Sequence, residues 1–173
     1  MTSSAATAAS TVRTIGFRAS PSSVSWAVVD GPKEQPRVEG ADTLEAPKTY
    51  SDAQKLAWYA KRVDELCRTK FDPRPMSAWI RTAETVGKHR LAHVVPRCRI
   101  EGLIIATATA LGLSVEMGAL GTITAQVKPS KTASGSKKTA KTYLDQEHFR
   151  GIDWAEYSDN EREAILVAVA ALP

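Results

Sequence analysis

Two β-rich runs stand near the start of the chain, residues 11–19 (TVRTIGFRA) and 23–29 (SVSWAVV), with Ser20, Pro21 and Ser22 between them. Ser and Pro in so short a gap favour a turn, so the two runs predict a hairpin. After the break at Asp30, Gly31 and Pro32, residues 37–45 supply a third strand, whose charges and Gly40 suit an edge position. Ser51 and Gln54 have capping-box spacing, and Leu56, Tyr59, Ala60, Val63, Leu66 and Cys67 then recur at helical intervals. A helix over about 52–68 follows.

Pro73 and Pro75 break the next connection, and residues 76–82 (MSAWIRT) form the short apolar run expected of a central strand, with Trp79 and Ile80 inside. Pro96 suits a first helical turn, and Ile100, Leu103, Ile104, Ala108 and Leu111 make one apolar face that Gly112 ends. Residues 114–117 read as a fifth strand, and residues 129–142 (PSKTASGSKKTAKT) have no periodicity and read as a loop. Ser158 with Glu161 repeats the capping box, and the nearly unbroken apolar run 164–172 predicts a last helix packed hard on the sheet. The order is strand, strand, strand, helix, strand, helix, strand, loop, helix: an antiparallel start feeding a parallel half.

A chain of 173 residues has room for one such domain, here 11–173, with residues 1–10 (MTSSAATAAS) as a flexible tail that lacks the basic and apolar parts of a secretory signal. The longest apolar candidate, 103–113, is too short to cross a bilayer, so no membrane span is expected and a cytoplasmic location is. Cys67 and Cys98 suggest buried thiols and no disulfide framework. Charge alters the picture more. The net +4 is uneven: residues 68–99 hold eight basic side chains against Asp72 and Glu84, and 128–141 hold five lysines and no acid. Residues 144–173 reverse this, with seven acids against two arginines. Such asymmetry suits a polyanion-binding face.

Four segments, IGFRASPSSVSWAVVD, SAWIRTAE, RIEGLIIATATALGLSVE and VKPSKTASGSKK with the later DNEREAILVAVAAL, together resemble the RuvC-like branch of the RNase H-like superfamily, which includes Holliday-junction resolvases. The resemblance runs from about Thr11 to Leu172 and implies an α/β fold: an RNase H-like, mixed five-stranded sheet flanked by helices. It also implies acids at the end of the first strand, on the fourth strand and at the start of the last helix, which hold two magnesium ions in the family. Those positions fall here on Arg18, Arg81, Asn160 and Glu163, of which Glu163 alone keeps a carboxylate. An arginine replaces an oxygen ligand by a fixed positive charge, so the usual two-metal site is not expected and no cofactor is implied.

The leading expectation is therefore structure-directed nucleic-acid binding, DNA in the first place, by a catalytically degenerate RuvC-like domain. Arg18 and Arg81 would grip phosphates, aided by Lys128, Lys131, Lys137, Lys138 and Lys141 in the basic loop at 128–142. The plainer readings are a salt bridge of the two arginines with Glu163 and a solvated linker for the lysines. A first rival is a nuclease dependent on magnesium or manganese with relocated acids, Asp30, Glu84 and Glu163 being the set to test, with Glu101, Asp159 and Glu161 in reserve. A second is a protein-interaction subunit or homodimer that uses its apolar last helix or Trp154. His89, His93 and Cys98 lack the partner ligands of a zinc site, His148 stands alone, and no phosphate-binding glycine fingerprint follows any strand. Trp79 is expected in the core, and core packing is the default for Trp154 as well.

Overall fold

The structure, a computed structural model, describes residues 12–82, 91–127 and 152–173. Strands β1 (Thr14–Ala19) and β2 (Ser23–Asp30) form the expected hairpin, its turn closed by the Ser20 hydroxyl, which accepts from the Ser23 amide at 3.0 Å. Strand β3 (Arg37–Glu45) is the outer neighbour of β2, and β4 (Ser77–Arg81) lies parallel to β1 on its other side. Strand β5 (Ser114–Gly118) completes a five-stranded mixed sheet in the order β3-β2-β1-β4-β5. β4 is thus interior and β3 an edge, as the apolar run and the charged run respectively require.

Alternation along the strands supplies two cores. Ile15 and Phe17 of β1, Trp26 and Val28 of β2 and Ile80 of β4 face helices α1 (Asp52–Arg68) and α2 (Leu91–Ala110). The residues between them, among them Ala27, Val29 and Trp79, face α3 (Leu120–Val127) and α4 (Asp159–Ala170). Because both faces are covered, β2 is buried at all eight positions and its outward alternation disappears.

Both capping boxes form: Ser51 with Gln54 opens α1, and Ser158 with Glu161 opens α4. Helix α4 lies directly on β1, since a Cβ at Gly16 would collide with the Ala168 nitrogen and the Ala164 carbonyl oxygen. The Thr14 hydroxyl donates to the Ala168 carbonyl at 2.7 Å and completes this seam.

Several sequence expectations are corrected. Pro96 does not open α2 but lies inside it, five residues after Leu91. It removes a donor to the Ala92 carbonyl, and Ala92 is exposed, so that acceptor remains within reach of water. Helix α3 has no counterpart in the sequence pattern: its eight residues include β-branched Thr122, Ile123 and Thr124, and only the packing of Leu120 and Ile123 on the core defines it. The apolar last helix is unavailable to a partner, because α4 is buried from Glu163 to Ala170, by the sheet on one side and α3 on the other. Trp154, in a 3-10 turn (Trp154–Glu156), is half-buried and packs against the core on the α3 and α4 face. Trp79 is buried, as expected. Cys67 is buried, its thiol pushed up to about 12 by that burial, whereas Cys98 is exposed against expectation. No helix among the described residues is long and apolar enough to cross a membrane.

Candidate nucleic-acid interface

Arg18 and Arg81 are direct neighbours, paired in register across the parallel strands β1 and β4. Each stands at an alternate position that points to the α4 face of the sheet, and each meets the first turns of α4 there. The Ser158 cap sets the start of that helix and hence the place of Glu163 five residues later. Glu163 Oε2 accepts from Arg18 Nε at 2.7 Å and from Arg81 Nη1. One carboxylate oxygen therefore serves two guanidiniums.

The side chains of Arg18, Arg81 and Glu163 are 15%, 5% and 11% exposed, so this cluster is largely removed from water. Burial pushes the Arg81 guanidinium below its ordinary value, and Glu163 opposes that shift. The nearby cations Arg97 and Arg18 push it further down. Arg81 Nε is buried without a hydrogen-bond partner. From α2, Arg97 binds Glu101 at 2.7 Å and reaches the Arg81 carbonyl at 3.4 Å, so a neutral pair flanks a triad of net charge +1. The i,i+4 spacing of Arg97 and Glu101 was the only sign of this flank in the sequence.

The remaining acids are committed elsewhere. Asp30 lies at the opposite end of the sheet, held by Arg13 at 3.3 Å and by Arg37 at 3.0 and 3.1 Å. Thr14, beside Val29, and Arg18, beside Ser25, are four residues apart along β1, about 13 Å. Asp30 and Glu163 thus do not share a site, and the relocated set Asp30, Glu84 and Glu163 does not converge; Glu84 itself lies outside the described residues. Glu161 is used in the cap of α4 and accepts from Thr43, Asp159 pairs with Arg162 at 3.7 Å, and Glu101 belongs to Arg97. Among the described residues no group of three or more His, Cys, Asp or Glu side chains is placed to hold a metal. A donor set of one carboxylate oxygen shared by two fixed cations does not fit a pair of dications. Lys128, Lys131, Lys137, Lys138, Lys141 and His89 lie outside the described residues.

RuvC of Thermus thermophilus is similar over 92% of this chain and 92% of its own, with a TM-score of 0.72 and 14% identity. RuvC from the same organism in complex with a Holliday-junction substrate gives a TM-score of 0.71 at 12% identity, over 92% of this chain and 91% of its own. This chain has the RuvC fold. Fowlpox virus resolvase, solved with substrate Holliday-junction DNA, is more distant, with a TM-score of 0.50 and 11% identity over 92% of this chain and 97% of its own. No protein-family model and no curated protein matches the sequence. The mixed five-stranded sheet flanked by helices is thus the RNase H-like architecture of these resolvases, carried by a sequence with little identity to theirs.

Proposed function

We propose that this RuvC-like protein binds nucleic acid, DNA in the first place, through its backbone phosphates and without metal-dependent cleavage of its own. The observation that carries this reading is the Arg18–Glu163–Arg81 triad at the sheet end where the family resemblance assigns metal-binding acids. In a nuclease of this fold, dications would neutralise phosphate at such a place. Here two guanidiniums stand there, with one positive charge left over after Glu163 is counted. A phosphate oxygen would take the guanidinium edges that Glu163 does not use, as charge-assisted hydrogen bonds favour. Such contacts fix position and carry no base information, which suits recognition of a branched or distorted shape. The structures of Thermus thermophilus RuvC and fowlpox virus resolvase with Holliday junctions support this choice of partner.

Lys128, Lys131, Lys137, Lys138 and Lys141 are proposed to bind further phosphates from the neighbouring segment. Fluorescence anisotropy with a labelled four-way junction and a matched duplex tests the reading. Replacing Arg18 and Arg81 by Gln should weaken binding about tenfold or more. Replacing Lys137, Lys138 and Lys141 by Gln should lower the salt slope by roughly 0.9 for each phosphate that is no longer neutralised. Junction cleavage that needs magnesium or manganese and disappears in Glu163→Gln would overturn the proposal.

A further inference from the structure

A cavity of about 520 Å³ opens at the same end of the sheet as the arginine triad, but on the α1 and α2 face. Its apolar wall is made by Ala46, Leu56, Tyr59, Pro96 and Ile100. Pro21 and Ser22, in the β1–β2 turn, form part of its rim. The Tyr59 hydroxyl donates to the Ser22 carbonyl at 2.6 Å and accepts from the Ala46 amide at 3.2 Å. Tyr59 thereby ties the turn and the chain after β3 to α1, so the cavity is preformed.

Five charged side chains line it: Lys48, Lys55 and Arg99 with Glu45 and Asp52. Among the described residues none of the five makes a side-chain hydrogen bond or ion pair, although both signs are present. Cations for an anion, carboxylates that can only accept, and an apolar wall between them match the phosphate, the exocyclic amine and the ring faces of one nucleotide. The volume lies in the range of small-ligand sites. Pro21 is three residues beyond Arg18, a span of at most about 11 Å. A strand whose backbone lies on Arg18 could therefore turn over the hairpin and present its next nucleotides to the cavity.

We infer that this cavity receives one nucleotide of an unpaired strand, with its phosphate on Lys55 and Arg99 and its base amine on Glu45 or Asp52. The inference rests on the nucleic-acid reading above and adds to it a second contact, on the α1 and α2 face, for an unpaired nucleotide next to the strand held at the triad.

The test has two arms. In the first, dCMP and dTMP are titrated into the full-length protein and amide shifts are followed by NMR. Saturable shifts at Ala46, Leu56 and Arg99 are expected, with dCMP bound roughly fivefold or more tighter than dTMP, which has no exocyclic amine. The K55A/R99A double variant should weaken dCMP at least tenfold; neither side chain has a partner among the described residues, so its spectrum should stay native. In the second arm, anisotropy compares a duplex with a fork that carries an unpaired strand, and the fork advantage should shrink in K55A/R99A. Junction or duplex binding with no dCMP shift at the cavity would overturn this inference and leave the proposed function standing. Saturable dCMP binding at the cavity without binding of any strand would overturn both the strand-bound form of the inference and the proposed function, and would mark a free-nucleotide site. Shifts caused instead by an acidic, apolar peptide and not by dCMP would also overturn it.

Discussion

At the start of β1 a buried carboxylate, Asp30, stands between Arg13 and Arg37; at its end another, Glu163, stands between Arg18 and Arg81. The local chemistry is the same and the charge balance is not. At the start, Glu39 joins Arg13 at 3.3 Å and Arg37 at 3.0 Å, so two cations meet two anions, and Arg37 is 71% exposed. The β2–β3 register explains the extra acid, because it steps from Gly40 to Val38 and leaves Glu39 unpaired in a bulge. At the end no second carboxylate among the described residues joins the triad, and a full positive charge is held in a site mostly closed to water. The neutral cluster ties the hairpin to the edge strand. The surplus charge at the other end is what an anionic ligand would complete.

The comparison breaks most severely at Gly16, which lies between the two clusters. Gly16→Ala should cost more than about 3 kcal/mol in chemical denaturation, because the new Cβ meets the backbone of α4 and not a flexible side chain. In any fraction that folds, α4 must shift, so junction binding should fall while the Asp30 cluster, whose Asp30, Arg37 and Glu39 stand on β2 and β3, persists. Loss of stability within about 0.5 kcal/mol of zero would show that the seam is not tight.

Removing each carboxylate sharpens the contrast. Glu163→Ala leaves Arg81 buried without its counter-charge and should cost about 3–5 kcal/mol. Asp30→Asn should cost less, about 1–3 kcal/mol, since Glu39 remains for both arginines. Equal losses in urea denaturation would remove the distinction between the two ends.

The smallest effect is in pH dependence. Burial raises the Asp30 carboxyl, but the bonds from Arg37 and Arg13 outweigh it and hold the group below its ordinary 3.8. A carboxyl depressed in the folded state contributes stability that is present above its unfolded value and is lost as pH falls through its folded value. Urea midpoints should therefore decline below about pH 4, and Asp30→Asn should flatten that decline. An unchanged acid limb in the variant would assign acid sensitivity to other groups.

Much of this arrangement was legible in the sequence, for identifiable reasons. The hairpin, the two capping boxes and the interior strand around Trp79 and Ile80 rest on local signals that tertiary packing did not override. The meeting of Arg81 with Glu163, 82 residues apart, followed from family resemblance and not from any local pattern. Helix α3 was hidden by its β-branched residues, and the start of α2 by a proline that usually marks a first turn. The Glu39 bulge, the Arg97 flank and the cavity beside Tyr59 are products of three-dimensional closure, for which no spacing along the chain is diagnostic.

The close approach of α4 to β1 at Gly16 bears on the thermodynamics of ligand capture. Backbone lies against backbone at Gly16, and the buried Thr14 hydroxyl, bonded to the Ala168 carbonyl, fixes the seam beside it. Glu163 and Arg18 are consequently carried on two elements in direct backbone contact, and little conformational entropy would remain to be lost if the proposed phosphate contact forms. Binding at the triad should then be governed by exchange of partners around Arg18 and Arg81, with the fold itself acting as a preorganised frame.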